Sequence, residues 1–213
     1  MLFPPPAGRL YPIVDADVCA AVGRAPRGVA RAFLSAGATL LQLRCKTMAS
    51  GAFLELAHQL VADSRSAGAQ LIINDRADVA ALSGADGLHV GQDDLRPADA
   101  RAVIGATAVL GVSTHSKTQW DAAVLQPVTY IAIGPAFATG TKQTGYLAVG
   151  LSTIAAASAA AKAKGLPTTA IGGITIDNAA SVIASGAASV AVISDLVKGD
   201  PEARCRAFLR SLE

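Results

Sequence analysis

Short apolar runs alternate with longer Ala-rich segments along the chain, and this alternation predicts β-strands that are each followed by an α-helix. The predicted strands cover Leu10–Val14, Thr39–Arg44, Leu71–Asn74, Gly87–Val90, Ala108–Ser113, Tyr130–Ile133, Thr168–Ile171 and Ala188–Ile193. The predicted helices cover residues 28–36, 51–67, 78–83, 97–104, 116–125, 148–164, 178–185 and 201–212.

Eight even strand–helix units in 213 residues, with no long insertion between them, are typical of a single (β/α)8 TIM barrel. An open doubly wound sheet is the alternative fold, but the even spacing favours closure. We expect residues 1–213 to form one TIM-barrel domain, in which residues 1–8 are an N-terminal extension. In this fold the catalytic and binding side chains follow the strands, at the carboxyl-end mouth of the barrel.

The composition excludes several classes of function. The chain is 52% hydrophobic and its formal net charge of +2 comes from dispersed charges, so neither a nucleic-acid partner nor a membrane partner is predicted. Its apolar runs are shorter than a bilayer span, and its first residues lack a signal-peptide pattern. Three widely spaced cysteines, Cys19, Cys45 and Cys205, are expected to be reduced thiols. We predict a cytoplasmic enzyme that acts on small molecules; a homo-oligomer is left open.

Two acidic residues follow neighbouring predicted strands. Asp75 comes after Leu71–Asn74, and Asp94 follows Gly87–Val90 in the turn GQDD. Because parallel neighbours end at the same edge of a sheet, both carboxylates are expected at one mouth, where they suit Mg²⁺. In the alternative interpretation both are structural: Asp75 caps the next helix and Asp94 lies in a turn.

Cationic side chains are predicted beside this acidic pair. Gln42, Arg44 and Lys46 alternate along QLRCK and face the same side of an extended chain. Lys142 follows the sixth predicted strand. Together with Mg²⁺, these cations suit a bound diphosphate. In the alternative interpretation, Arg44 and Lys46 lie at a solvated strand end and form ion pairs with Asp15 or Asp75.

A second anion site is predicted where strands seven and eight end. Gly172 and Gly173 follow strand seven, and Ile193 and Ser194 follow strand eight. Backbone N–H groups at these positions form a phosphate site in many barrels, and glycine permits a close backbone approach. An ordinary Gly–Gly turn is the alternative. Two separate anion sites indicate two phosphorylated substrates, or one substrate with two phosphate ends.

Further polar residues are predicted at or near the mouth. Thr139 and Thr141 indicate a hydroxyl-lined loop that closes over it, or else an ordinary surface loop. His115 is placed there either for proton transfer or as a structural side chain. His89 faces either the barrel interior or the helices. From the residues alone, we predict a Mg²⁺-dependent enzyme that handles a diphosphate and a second phosphorylated molecule.

An ordered set of motifs resembles the thiamine phosphate synthase family. The set covers most of the chain, from strand two to strand eight, and its order makes it specific although each motif alone is weak. The matching motifs are QLRCK (42–46), IINDRADVA (72–80), ADGLHVGQDD (85–94), GVSTH (111–115), YIAIGPAFATGTK (130–142), AVGL (148–151), IGGIT (171–175) and VIS (192–194). The triplet TGY at 144–146 departs from the family's pattern.

The resemblance implies a role for each matching residue. The residues implied to bind hydroxymethylpyrimidine diphosphate are Gln42, Arg44, Lys46, Asn74, Ser113 and Lys142. Those implied to bind the thiazole phosphate are Thr139, Thr141, Gly172, Gly173, Ile193 and Ser194. Asp75 and Asp94 match the ligands of Mg²⁺. The catalytic candidates, which would stabilise the departing diphosphate, are Arg44, Lys46 and Lys142.

The implied reaction joins the pyrimidine methylene to the thiazole nitrogen and releases pyrophosphate, giving thiamine phosphate. With a carboxylated thiazole, CO₂ is also lost. The alternatives are a thiazole tautomerase, which is a metal-independent isomerase that would use His115, a non-catalytic barrel that binds thiamine intermediates, and a phosphosugar isomerase. The complete set of diphosphate and Mg²⁺ residues favours the synthase, because a tautomerase has no need of it.

Overall fold

Eight parallel strands close into a barrel, in which each strand pairs with the next and the eighth pairs with the first. The structure is a computed structural model that describes residue 3 and residues 8–140 and 145–213. The strands are β1 (Leu10–Asp15), β2 (Leu40–Arg44), β3 (Gln70–Asn74), β4 (Gly87–Val90), β5 (Val109–Thr114), β6 (Tyr130–Ile133), β7 (Thr168–Ile171) and β8 (Ser189–Val192). The predicted (β/α)8 barrel is confirmed.

Helices follow the strands and pack around the outside of the barrel. Their bounds are α1 (Ala16–Ala21), α2 (Pro26–Ser35), α3 (Ser50–Ser66), α4 (Ala77–Ser83), α5 (Pro97–Ile104), α6 (Lys117–Ala123), α7 (Gly150–Lys162), α8 (Ile176–Ala184) and α9 (Pro201–Ser211), with a 3-10 helix at Ser194–Val197. Within the described part of the chain, no helix combines the length and the apolar character that a membrane span requires.

The short elements α1 and the 3-10 helix were missing from the sequence-based prediction. Asp15 ends β1 and caps α1, because its side chain accepts hydrogen bonds from the N–H groups of Asp17 at 3.1 Å and Val18 at 3.0 Å. The helix has only six residues, too few for hydrophobic periodicity to reveal. The 3-10 helix follows β8 directly and has four residues. Both elements begin where a strand reaches the mouth.

The alternation of side chains along the strands divides the apolar residues between two cores. Outward-facing residues such as Leu41 and Leu43 pack against the helices in the larger core. Inward-facing residues such as Leu40 and Ile72 form a second cluster inside the barrel, which also contains Phe3. These two cores follow from the period of two that a strand imposes on its side chains.

The same alternation directs four polar side chains into the barrel. Gln42, Asn74, His89 and Ser113 each lie two residues beyond an inward-facing position of β2, β3, β4 or β5. The parallel register places Asn74 opposite His89, and all four side chains are buried. His89 therefore faces the interior, which the sequence left open. The four side chains lie just below the mouth.

Gly111 offers a test of how closely the interior is packed. A Cβ atom at this position would lie 2.1 Å from Cζ of Tyr130, whose side chain is fully buried. We expect Gly111→Ala to lower the free energy of unfolding by about 1–3 kcal/mol, because the overpacked ring has no space to move into. Urea denaturation followed by circular dichroism measures this change.

Gly28→Ala in α2 is the matched control, because the added Cβ would meet no described atom within 4 Å apart from its chain neighbours and the backbone of its own helix. This variant is expected to match the wild type or to gain up to about 1 kcal/mol, since alanine favours helix over glycine. Equal stability of the two variants would contradict the close approach at Gly111.

Candidate functional site

The two cations of the QLRCK motif form ion pairs at the mouth. Nη1 of Arg44 pairs with Oδ2 of Asp15, and Nζ of Lys46 pairs with Oδ2 of Asp75. These partners are the ones expected under the alternative, structural interpretation of both cations. The Arg44 side chain is only 12% exposed, whereas that of Lys46 is 47% exposed. Both cations are therefore held at one rim, next to the acidic pair.

Asp75 and Asp94 lie beside each other at this rim. Asp75 has a left-handed backbone with φ 64°, and its N–H donates to the carbonyl of His89 at 2.7 Å. The N-cap position of α4 is Arg76, so the predicted alternative in which Asp75 caps that helix is wrong. A non-glycine residue in this region of φ is uncommon, although aspartate adopts it more readily than most residues, and such residues are enriched at active sites.

The electrostatic environment of Asp94 reflects this proximity. Burial of the Asp94 carboxyl and the neighbouring side chain of Asp75 raise the pKa of Asp94 above its usual value. The N–H of Gly91, which donates to Asp94 at 2.7 Å, and the charge of Lys46 act in the opposite direction. The two carboxylates therefore repel each other in the folded protein.

This pair of carboxylates fits a hard divalent cation. Mg²⁺ prefers oxygen ligands and ordinarily takes one or two carboxylates, while substrate phosphates and water complete its octahedral shell. Across residues 8–140 and 145–213, no group of three His, Cys, Asp or Glu side chains is placed to hold a metal. A cation between the two carboxylates would also relieve their repulsion.

Two buried hydrogen-bond donors beside the pair indicate an acceptor ligand. Nδ2 of Asn74 and Nε of Arg44 have no hydrogen-bond partner among the described residues. Both side chains line a narrow interior cavity of about 20 Å³, together with Gln42 and Ser113. Buried polar groups are almost always hydrogen-bonded in native proteins, so we expect these donors to meet a ligand or water at the mouth.

A larger pocket of about 280 Å³ opens at the mouth where β5 to β8 end. The predicted site residues in its lining are Ser113, Thr139, Gly172, Gly173, Ile193 and Ser194. Because Ser113 also lines the narrow cavity, the two spaces meet at this residue. Thr141 and Lys142 lie outside the described residues.

Gly172 and Gly173 form part of the pocket wall with bare backbone. Their φ angles of 97° and 65° lie in the left-handed region. A Cβ atom at Gly172 would lie 2.6 Å from Cβ of Pro135, and one at Gly173 would lie 2.7 Å from the carbonyl oxygen of Ala138. The loop after β7 therefore packs directly against the loop after β6, with no room for side chains between them.

Asp195 organises this end of the pocket and was absent from the sequence-based prediction. Its buried carboxylate pairs with Lys198 at 2.9 Å and with Arg204 at 2.7 Å, and it accepts a hydrogen bond from the N–H of Ile176 at 3.2 Å. Burial acts to raise the pKa of Asp195, but these partners outweigh it and lower the pKa. Its position directly after Ser194 is the only sequence signal.

His115 is held by contacts with two loops. Its Nδ1–H donates to the carbonyl of Gly134 at 2.6 Å, and its ring stacks on Tyr146 with centroids 4.1 Å apart. Tyr146, in the triplet that departs from the family's pattern, also accepts a hydrogen bond from Gln119 at 3.3 Å. His115 lines the larger pocket, with one ring nitrogen committed to the backbone.

A closed barrel whose polar side chains gather at the carboxyl-end mouth defines the class of (β/α)8-barrel enzymes. The sequence profile described as thiamine monophosphate synthase matches residues 10–196. The chain belongs to the thiamine monophosphate synthase family, which makes it a transferase of thiamine biosynthesis.

Individual relatives agree with this assignment. The chain is 42% identical over 207 residues to a thiamine-phosphate synthase from Roseiflexus castenholzii, covering 96% of this chain and 89% of that protein. It is 43% identical over 209 residues to one from Koribacter versatilis, covering 96% and 95%. A solved structure of a thiamine phosphate pyrophosphorylase from Pyrococcus furiosus, 26% identical, superposes with a TM-score of 0.87 and covers 97% of this chain and 96% of that one. The family predicted from the motifs is confirmed.

The repulsion between the two carboxylates predicts an effect on stability. We expect Asp94→Asn to raise the thermal midpoint of unfolding at pH 7 by about 2–4 °C, the shift that corresponds to about 1 kcal/mol in a chain of this size. Asparagine removes the charge but keeps an oxygen that accepts from the N–H of Gly91. Differential scanning calorimetry measures the midpoint.

The pH dependence follows from the raised pKa of Asp94. The charged Asp94 carboxylate destabilises the wild-type protein at pH values above its raised pKa. This loss of stability disappears as the pH falls through the pKa, because the carboxyl group becomes neutral. The gain from Asp94→Asn should therefore shrink in acid. Asp93→Asn, at the exposed neighbour, is the control and should change the midpoint by about 1 °C or less. A lower midpoint for Asp94→Asn at pH 7 would contradict the repulsion.

Proposed function

We propose that the chain is a Mg²⁺-dependent thiamine phosphate synthase that couples hydroxymethylpyrimidine diphosphate to a thiazole phosphate, with or without a carboxyl group. The reaction breaks the bond between the pyrimidine methylene carbon and the diphosphate oxygen, and it forms a bond from the thiazole nitrogen to the same carbon. The products are pyrophosphate and thiamine phosphate, and CO₂ is also released from a carboxylated thiazole.

The observation that carries the proposal is the junction of two ligand spaces at one mouth. The narrow cavity, where donors of Arg44 and Asn74 have no partner among the described residues, meets the larger, backbone-walled pocket at Ser113. A reaction that joins two substrates requires two adjoining sites whose reacting atoms face each other. Because the narrow cavity is only large enough for about one water-sized group, the pyrimidine diphosphate is assigned to the rim above it, with the ring edge towards the cavity, and the thiazole phosphate to the larger pocket.

The residues around the first space suit a departing diphosphate. Arg44 and Lys46 would exchange their aspartate partners for the more highly charged diphosphate, and Asn74 would supply a neutral donor. Asp75 and Asp94 would hold the cation. When bound, Mg²⁺ neutralises charge that develops on the leaving diphosphate. By the family resemblance, Lys142 adds a third cation from the loop after β6.

This arrangement favours departure of the diphosphate before the new bond forms. The electron-rich aminopyrimidine stabilises a positive charge on its methylene carbon, so the protein's main task is to stabilise the anion that leaves. The thiazole nitrogen is itself the nucleophile and carries no proton to be removed. The proposal therefore assigns no general base, which agrees with the commitment of Nδ1 of His115 to the backbone of Gly134.

The residues around the second space suit a phosphate monoester. Gly173 offers bare backbone, Ser194 offers a hydroxyl and the start of the 3-10 helix, and Thr139 lies across the pocket. Short helical N-termini and glycine-rich turns bind phosphate through their N–H groups. Thr141 belongs to the same proposal through the family resemblance.

A cytoplasmic location is also part of the proposal. Cys19, Cys45 and Cys205 are buried free thiols in the described structure. Free thiols are usual in the reducing cytosol, where disulfides rarely persist.

The first test is pyrophosphate release from hydroxymethylpyrimidine diphosphate, measured with and without a thiazole phosphate and with and without Mg²⁺. We expect release coupled to thiamine phosphate formation only when both substrates and the metal are present. Asp94→Asn should lower kcat/KM by about 100-fold or more, because a metal ligand is lost, while Asp93→Asn retains wild-type turnover. Isomerisation of the thiazole phosphate without consumption of the pyrimidine would contradict the proposal and indicate a tautomerase.

The division into two ligand spaces has its own test. Ser194→Ala is expected to raise KM for the thiazole phosphate about tenfold, the effect of losing one hydrogen bond to a charged group. KM for the pyrimidine diphosphate should change less than about twofold. Ser181→Ala, at an exposed position of α8, is the control. An equal rise in both KM values for Ser194→Ala would show that the two substrates are not separated in this way.

A further inference from the structure

A chain of hydrogen bonds crosses the barrel interior below the mouth and joins two predicted substrate contacts. Nε2 of Gln42 donates to the Tyr11 hydroxyl at 3.0 Å, which lies 3.2 Å from the Tyr130 hydroxyl. Nδ1 of His89 lies 2.8 Å from the Tyr130 hydroxyl, and Nε2 of His89 lies 2.8 Å from Oγ of Ser113. All five side chains are buried. The chain therefore runs from Gln42 on β2 to Ser113 on β5.

The backbone leaves room for this chain of hydrogen bonds. His89 and Tyr130 lie on either side of Gly111 in the register of β4, β5 and β6. Because Gly111 has no side chain, the Tyr130 ring lies where a Cβ atom would be, 2.1 Å from Cζ, and reaches across β5 to His89. Phe3 stacks on the same ring with centroids 3.8 Å apart. The Tyr130 hydroxyl is therefore held in one place by packing.

The donors and acceptors fix the direction in which each group donates its hydrogen to the next. Burial raises the pKa of both phenols, so each keeps its single hydrogen. Since the Tyr11 oxygen accepts from Gln42, the Tyr11 hydrogen is available for the Tyr130 oxygen, and the Tyr130 hydrogen for Nδ1 of His89. With Nδ1 accepting from Tyr130, the imidazole hydrogen lies on Nε2 and is donated to Oγ of Ser113.

We propose that His89 is a positioning residue that makes Ser113 a hydrogen-bond donor to the pyrimidine substrate. When Oγ of Ser113 accepts from Nε2 of His89, its own hydrogen is free to point to a ring nitrogen, which only accepts. At the other end, the bond to Tyr11 fixes which way the Gln42 amide faces. An aminopyrimidine edge presents both a donor and an acceptor, so both orientations matter for its recognition. The inference rests on the proposed function, which places the pyrimidine ring at the rim of the narrow cavity, beside Ser113.

A double-mutant cycle separates positioning from simple packing. His89→Asn keeps a polar group near the position of Nδ1 but is too short to reach Ser113. We expect it to lower kcat/KM for the pyrimidine diphosphate about 10- to 100-fold, with KM for the thiazole phosphate changed less than about twofold. In the Ser113→Ala background the same substitution should have almost no further effect, because His89 acts through Ser113.

His89→Gln is the matched rescue variant. Its longer side chain places an amide N–H near the position of Nε2, so it can still donate to Ser113. We expect it to retain kcat/KM for the pyrimidine diphosphate within about threefold of the wild type, while His89→Asn does not. The thermal midpoints of both variants are compared by calorimetry. If His89 only filled space, the loss of activity would follow the loss of stability and would not depend on whether the new side chain can donate a hydrogen bond to Ser113.

Tyr130→Phe gives an independent test if His89 variants fail to fold. It removes one hydroxyl, keeps the stacked ring, and releases the constraint on the hydrogen of His89. It should lower kcat/KM for the pyrimidine diphosphate and lose this effect in the Ser113→Ala background. The inference would be overturned if the effect of His89→Asn or of Tyr130→Phe on kcat/KM were as large in the Ser113→Ala background as in the wild type. Wild-type protein that releases no pyrophosphate would instead overturn the proposed function itself.

Discussion

Closure of the sheet between β1 and β8 is the constraint on which the rest of the structure depends. A closed parallel barrel has no free edges, and every second side chain of each strand must point into a shared interior of fixed width. Side chains far apart in sequence are thereby forced into contact, as Tyr11 and Tyr130 are at a separation of 119 residues. The lower interior is filled with apolar and aromatic residues. Polar side chains of the upper interior lie next to the mouth and form the floor of the candidate site.

The mouth gathers charges that are only partly compensated by the protein itself. Asp75 and Asp94 repel each other, Arg44 keeps a buried nitrogen without a described partner, and Asn74 keeps a second one. Such an arrangement lowers stability, and in the proposed function a bound diphosphate and its cation would satisfy these groups together. The ion pairs of Arg44 and Lys46 hold both cations at this rim. In the proposed function, electrostatic stabilisation of the leaving diphosphate is the main chemical task of this site.

The interior chain of hydrogen bonds connects the packing of the barrel to recognition at its mouth. Gly111 makes room for Tyr130, Tyr130 orients the imidazole of His89, and His89 orients Ser113. In a low-dielectric interior each bond polarises the next, so the direction of the chain is set by its buried members and not by solvent. Fold stability and substrate specificity then share residues, which explains why a buried histidine and two tyrosines lie where aliphatic side chains would pack as well.

The sequence by itself determined the order of the strands and the closed fold, because short buried strands and amphipathic helices leave periodic patterns that need no knowledge of distant contacts. The ordered set of motifs indicated the family. It also located the acidic pair, since parallel neighbours must end together. The short helices α1 and Ser194–Val197 left no periodic signal. Only the tertiary structure decided that Arg44 pairs with Asp15, that His89 faces inward, and that Asp195 ties α8 to α9. Each of these depends on distances between side chains from separate strands or helices, and those distances exist only once the barrel has closed.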